Sequence, residues 1–265
     1  MKRTYTSIAI TGANRGIGKA LALQAALSGY SQIYVLGRNI IELEHVANTC
    51  KNFGANCIPI YFDLDNNESM RNAIESIRMQ GFPQVWVHNA GTSMRSTYRE
   101  CSDNVFQTVM QRNFYGTEFA TRLILPIITE VHSQSHIVVV SSIAGEFGFP
   151  LRSAYCASKA ALKGLFETIR LEEKERGLCV SLIYPGRIRT DIALHALTAD
   201  GSPQNSQDDG LQNGLNVAKC ASKILKSVHN CKRDVYIGKS ELLMVYLKRY
   251  WPALFYWVIN RVSAR

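Results

Sequence analysis

Tyr155 and Lys159 stand four residues apart in a stretch of helical periodicity. On a helix that spacing puts phenol and ammonium on one face, one turn apart. A phenol titrates near ~10 and is a poor proton donor or acceptor at neutral pH. An ammonium beside it stabilises the phenolate and draws its pKa down. Such a pair suits proton transfer to a carbonyl oxygen or from an alcohol. Ser142, at the end of an apolar run, could hydrogen-bond the same oxygen. The spacing alone carries little, because any long helix offers it.

A second set of residues gives it weight. A short apolar run ends in Thr11-Gly-Ala-Asn-Arg-Gly-Ile-Gly18 and passes into a helical pattern. Gly12 allows a sharp turn, Gly16 removes a side chain that would block a pyrophosphate, and Gly18 permits close helix–strand packing. The helix amino end offers free N–H groups to phosphates. A dinucleotide site of this kind often carries an acid after the second strand, for the adenosine ribose. Here the sequence reads Leu36-Gly37-Arg38-Asn39. Arg38, with Arg15 in the turn, can instead pair with a 2′-phosphate, so the expectation is NADP(H) rather than NAD(H).

Positioning these residues takes a sheet. Apolar runs at Ser7–Thr11, Gln32–Gly37, Cys57–Phe62, Val85–His88, His136–Ser141, Val180–Tyr184 and Val235–Gly238 read as seven strands. Amphipathic stretches between them (16–28, 41–53, 69–80, 103–131, 154–175 and 215–228) read as helices. Alternation of this kind predicts a doubly wound, Rossmann-like α/β fold with one parallel sheet. Continuous apolar runs such as Ile137–Val140 suit strands buried on both faces. Residues 1–240 form a single catalytic domain on this reading, and 241–265 a carboxyl-terminal extension. Within 191–214 the polar, Gly-containing segment 198–214 overhangs the strands' carboxyl ends, where a substrate-covering loop belongs.

The 265 residues are 46% hydrophobic and 19% charged, which excludes a disordered chain and allows a sizeable core. Seven scattered cysteines without a CxxC pair suggest neither a zinc site nor a disulfide framework, and hence a reduced cytosolic setting. His45, His132, His136, His195 and His229 lack metal-ligand spacing, so no metal is expected. No signal-peptide pattern precedes the first strand. The net charge of +9 prompts a nucleic-acid reading. No nucleic-acid module is recognisable, however, and the basic residues gather at an apolar tail.

With these motifs in hand the chain resembles the short-chain dehydrogenase/reductases of the core, non-extended type, from about residue 5 to 240. The resemblance rests on the glycine turn, Asp63-Leu64, Asn89-Ala-Gly91, Asn113, Ser141-Ser-Ile-Ala-Gly145, Tyr155-x-x-x-Lys159 and Pro185-Gly186 with Thr190, all in family order. Leu125-Pro126 and the run from Pro150 to Ala160 look like the branch of 11β-hydroxysteroid-dehydrogenase-like and dehydrogenase/reductase member 7-like proteins and their bacterial relatives. The resemblance implies that Tyr155 is the acid–base, that Lys159 lowers its pKa and holds the nicotinamide ribose, and that Ser142 steadies the substrate oxygen. It implies that Asn113 bends its helix and holds a water linking Lys159 to solvent. Asn14, Arg15 and Ile17 would line the cofactor with Gly12, Gly16, Gly18 and Arg38. Asp63 and Leu64 would meet the adenine; Asn89, Ala90 and Gly91 the adenosine ribose; Pro185, Gly186, Ile188 and Thr190 the nicotinamide side.

The function expected is hydride transfer between NADP(H) and a carbonyl or alcohol of a lipophilic substrate, in a homodimer or homotetramer. The alternative is a catalytically silent nucleotide-binding regulator on the same fold. The tail 241–265 carries Tyr, Trp and Phe among basic residues, and only eleven uncharged residues separate Arg249 from Arg261, too few to span a bilayer. A membrane-surface helix, a subunit contact and a cover over the substrate pocket all remain open for it, and Pro252 should divide it into two short helices. The location expected is the cytoplasm, with peripheral membrane contact if the first of these holds.

Overall fold

A computed structural model describes residues 3–261. Seven strands, β1 (Ser7–Thr11), β2 (Gln32–Gly37), β3 (Asn56–Tyr61), β4 (Val85–His88), β5 (Ser135–Val140), β6 (Leu178–Pro185) and β7 (Asp234–Ile237), form one parallel sheet in the order β3-β2-β1-β4-β5-β6-β7. Each strand lies within two residues of its expected bounds at either end. Side chains alternate across a strand, and the sequence fills both faces. Ile8, Ile33, Val35, Val138 and Val140 enter one core; Ala9, Tyr34, Leu36, Ile137 and Val139 enter the other. Pro59 is tolerated because β3 is an edge strand.

Helices α1 (Gly16–Leu27), α2 (Ile40–Lys51) and α3 (Asn67–Gln80) follow the first three strands. Asn39 and Asn66 cap α2 and α3 by accepting from Glu42 N and Ser69 N. The long stretch after β4 comprises α4 (Asp103–Met110), a π-helical turn over Gln111–Tyr115, and α5 (Gly116–Val131). The expected bend at Asn113 is therefore present, as a π-turn. Then come α6 (Ser153–Glu172), a one-turn α7 (Asp209–Gln212) inside the polar loop, and α8 (Val217–His229). The tail breaks at Pro252 into α9 (Leu243–Tyr250) and α10 (Pro252–Ile259), as expected. None of the described helices is long and apolar enough to cross a membrane.

One expectation is overturned. Cys179, near the start of β6, and Cys231, in the turn before β7, form a disulfide across a Cα separation of 5.9 Å. Their 52-residue separation hides the pair from any spacing rule, and the β6–β7 pairing brings them together. No disulfide was expected from the scattered cysteines, and this one corrects that reading. His136 joins them in a cluster whose nitrogen and sulfur atoms lie within 4.8 Å of one another. Its Nε2 shares a 2.8 Å hydrogen bond with Ser181 Oγ, and both sulfurs are spent on each other. Burial holds His136 neutral, with its pKa lowered to about 3.

The loop that this disulfide closes contains residues 185–214, hence the whole substrate-covering segment. A closure of that length stabilises a fold by about 4 kcal/mol through the unfolded chain. Dithiothreitol should therefore lower the urea midpoint of the wild type, while Cys231→Ser shows the loss already and no further response. Equal midpoints with and without reductant would show that the link contributes nothing.

Candidate active site

The glycine turn sits at the carboxyl edge of the sheet, where β1 parts from its neighbour β4. Gly12 has a left-handed φ of +66°, and a Cβ there would lie 2.8 Å from Ala90 Cα. A Cβ on Gly18 would lie 2.3 Å from the Gly12 carbonyl oxygen. Only glycine lets the turn and the first coil of α1 approach β4 this closely. Asn89 locks the approach, its Nδ2 donating to the carbonyls of Thr11 (2.9 Å) and Gly12 (3.2 Å). The backbone N–H groups of Asn89 and Ala90 each donate to Thr11 Oγ1. Thr190 covers the turn from the far side, its methyl 3.6 Å from where a Gly16 Cβ would stand. Unlike α2 and α3, α1 has no side-chain cap and no acid in its first turn, which leaves its amino end open to an anion.

Arg15 and Arg38 flank this turn. Burial lowers the Arg15 pKa below the ordinary guanidinium value, Glu42 opposes that shift, and Arg38 adds to it. Asn14 Nδ2 donates to Glu42 Oε2 at 2.7 Å, so this acid comes from α2 rather than from the end of β2. Asp65 is held by Arg112 at 2.7 Å; Arg38 is 3.9 Å from it and largely exposed. Asp63 Oδ1 accepts from Asp65 N in the same loop. The Leu64 carbonyl accepts from Gln111 Nε2, which ties the loop to the π-turn.

Ser142, Tyr155, Lys159 and Asn113 meet on the other side of the switch between strands. Ser142 follows β5, and its Oγ accepts from Ala144 N at 3.1 Å and reaches the Pro185 carbonyl at 3.5 Å. Its hydroxyl acts on the Tyr155 phenol and favours the ionised form. Ser141 supports α6, its Oγ donating to the Lys159 carbonyl. Lys159 is buried; its Nζ donates to the Val140 carbonyl at 2.9 Å and lies 5.8 Å from the centre of the Tyr155 ring. Burial lowers its pKa to about 8. The Asn113 side chain is consumed by Thr92, whose N–H donates to its Oδ1 (2.8 Å) and whose carbonyl accepts from its Nδ2 (2.9 Å), and by Ser158 Oγ (3.0 Å). It holds the strand-four loop to α6, so a water relay would have to use main-chain groups of the π-turn.

The cations at the phenol were only half foreseen. Burial raises the Tyr155 pKa; Arg152 is the largest force against that, followed by the Ser142 hydroxyl, with Arg95 contributing less. Arg152 stands three residues before Tyr155, at the cap position just ahead of α6, and that nearness in sequence could have flagged it. Arg95 follows β4 and Asp208 lies in the covering loop, and no local signal marks either. Asp208 binds both guanidiniums, at 3.0 Å from Arg152 Nη2. Leu151, with φ +63°, takes a left-handed conformation just before Arg152, held by Ser96 N donating to its carbonyl.

A cavity of about 340 Å³ opens beside Ser142. Phe147, Phe149, Met244 and Ile259 give it apolar walls, while Arg152, Asp208 and Glu241 supply charge. Glu241 clamps the loop after β6, its Oε1 accepting from Arg187 N. Phe255 and Ile259 of α10 pack with Phe147 and Val245. The tail therefore walls the pocket on its inner face, one of the three roles left open for it.

Comparison with known proteins agrees with this geometry. The family described as short chain dehydrogenase matches residues 6–200. Dehydrogenase/reductase SDR family member 7B of Danio rerio is 33% identical over 260 residues, covering 95% of this chain and 84% of that protein. Dehydrogenase/reductase SDR family member 7 of Homo sapiens is 30% identical, covering 97% and 77%. A short chain dehydrogenase/reductase from Burkholderia phymatum in complex with NAD superposes with a TM-score of 0.83 at 22% identity, over 96% of each chain. A short chain dehydrogenase from Burkholderia cenocepacia in complex with NADP gives 0.81 at 21%, over 98% and 99%. With its motifs gathered at one sheet edge, the chain belongs to the short-chain dehydrogenase/reductase family of oxidoreductases, in the branch of dehydrogenase/reductase member 7.

Proposed function

We propose that this protein is an NADP(H)-dependent reductase of a lipophilic carbonyl compound. The observation that carries the reading is the buried Tyr155 phenol, acted on by Ser142, which itself lines a cavity with apolar walls. Burial keeps the phenol protonated at neutral pH, the form that gives a proton to a carbonyl oxygen. Ser142 fixes that oxygen by a second hydrogen bond, and Lys159 stays within reach of both the phenol and the ribose side of the cleft. Arg152 and Arg95 favour the phenolate left after the proton has gone. A regulator without turnover would need the glycine turn but not the Ser142–Tyr155 pair, which weighs against the silent alternative.

The residues present fit a dinucleotide. Gly12, Gly16 and Gly18 form the cradle, Asn89 to Gly91 one wall, and Pro185, Gly186, Ile188 and Thr190 the other. Asn14 and Ile17 complete the turn, and Asp63 with Leu64 borders the adenine side. Bound there, the nicotinamide supplies the hydride to the carbonyl carbon or takes it back. Arg15 and Arg38 oppose each other's charge, and a 2′-phosphate between them would relieve that repulsion.

The outer face of α9–α10 exposes Tyr246, Tyr250, Trp251, Leu254, Tyr256 and Trp257 beside Lys248, Arg249 and Arg261. Lys248 Nζ donates to Tyr256 OH at 2.6 Å and braces the hairpin. Aromatic rings among cations suit an anionic membrane surface, which would deliver a lipophilic substrate next to the pocket wall. The homodimer or homotetramer implied by the family belongs to the same reading and is measured by light scattering.

Tyr155→Phe should lower kcat by about 10²-fold or more while leaving NADPH affinity nearly unchanged. Retention of a tenth of wild-type kcat would refute the acid role. Because the folded phenol titrates above its ordinary value, reductive kcat should hold through neutral pH and fall only in the alkaline range; a fall beginning near pH 7 would contradict it. Arg38→Asp should reverse a preference for NADPH over NADH of about tenfold or more, the worth of a charge-assisted hydrogen bond, and a wild type that prefers NADH removes the assignment. The double variant Trp251→Ser, Trp257→Ser should lose flotation with phosphatidylserine vesicles, and equal flotation of both proteins would rule out the membrane face.

A further inference from the structure

The covering loop inserts one carboxylate between two arginines that act on the catalytic phenol. Asp208, whose side chain is 10% exposed, binds Arg95 and Arg152, whose side chains are 8% and 21% exposed. Gln204 Nε2 reaches its other oxygen at 3.4 Å. Two guanidiniums thus share one largely buried carboxylate. The Nε–H groups of Arg95 and Arg152 are both buried without a hydrogen-bond partner. A buried unpaired donor is destabilising, so a cluster that served only to pin the loop would be wasteful. A second oxyanion, or one larger than the carboxylate of Asp208, would satisfy these donors, since a guanidinium takes planar or tetrahedral oxyanions through several N–H groups at once.

The location gives the cluster a ligand. Arg152 lines the same cavity as Ser142, Phe147 and Met244, and Arg95 adjoins it through their shared Asp208. Both arginines also act on the Tyr155 phenol, so an anion bound between them lies near the reacting oxygen. Asp208 belongs to the loop 191–214, which is otherwise fastened to the strand-four loop by backbone bonds such as Arg95 N to the Leu197 carbonyl.

We propose that Arg95 and Arg152 form an oxyanion subsite of the substrate pocket, filled by Asp208 when substrate is absent. The substrate is then a lipophilic carbonyl compound that carries a carboxylate or phosphate, and its anionic group displaces Asp208. The exchange swaps one buried anion for another, keeps the guanidiniums neutralised and unties the loop's side-chain latch. This inference rests on the carbonyl-reductase reading and adds the substrate's charge to it.

The test uses the full chain with NADPH and three ketones of equal length: a long-chain oxo acid, its methyl ester and the corresponding oxo-alkyl phosphate. At least one charged ketone should exceed the ester in kcat/KM by about tenfold or more, the worth of hydrogen bonds to a charged group. The charged ketone that wins identifies the oxyanion. Arg152→Leu should collapse this ratio toward one. Asp208→Asn, which keeps the shape and removes the competing charge, should raise it through a lower KM for the charged ketone. Calorimetry with a saturated fatty acid and its methyl ester reads the subsite without turnover, and Asp208→Asn should tighten the acid alone. Equal kcat/KM for all three ketones, or a ratio that neither variant moves, overturns the proposal. Reduction of none of the ketones would instead count against the carbonyl-reductase reading, and the calorimetry would still decide whether the subsite exists.

Discussion

The hydrogen bonds of Asn89 to the Thr11 and Gly12 carbonyls hold the rest of the arrangement in place. They join the ends of β1 and β4, neighbours in the sheet whose connections leave in opposite directions. In an open parallel sheet that divergence creates the cleft in which ligands bind. The glycine turn and the strand-four loop can meet only if no side chain intervenes, which is why Gly12 and Gly18 have no room for a Cβ. From that junction Asn113 carries the positioning onward, its amide bound to Thr92 on one side and Ser158 on the other. The nucleotide cleft and the catalytic helix are thereby coupled through a few polar bonds in an otherwise apolar core.

Burial works both ways at Tyr155 and Lys159. It raises the phenol's pKa and lowers the ammonium's to about 8, so desolvation widens the gap between the two groups and makes the ammonium the first to lose its proton. Lys159 donates to the Val140 carbonyl, and its Nζ lies 5.8 Å from the centre of the phenol ring. The Arg152 and Arg95 guanidiniums draw the phenol's pKa down against its burial, and a guanidinium stays charged at neutral pH.

Loop and tail close over this centre with different chemistry. The loop contributes a carboxylate to two arginines; the tail contributes Phe255 and Ile259 to an apolar wall and leaves its other aromatic rings facing outward. Between them lies a pocket greasy on one side and charged on the other. The disulfide from Cys179 to Cys231 anchors both ends of the segment that bears the loop, at the sheet edge opposite the chemistry.

The amino-acid sequence by itself determined the strands, their parallel order of use and the glycine turn, because each rests on local periodicity or on a residue type that only one backbone shape accommodates. It also marked Ser142, Tyr155 and Lys159, whose meaning comes from short spacings beside strand ends. The break at Pro252 was legible from residue type, and the bend at Asn113 only through the family resemblance. Only the tertiary structure decided what depends on long-range contact. It paired Cys179 with Cys231 across 52 residues, brought Asp208 to Arg95 across 113, and turned one face of the tail inward as a pocket wall. Sequence spacing carries no record of such meetings, since the sheet register and the path of the covering loop, rather than chain proximity, bring those side chains together.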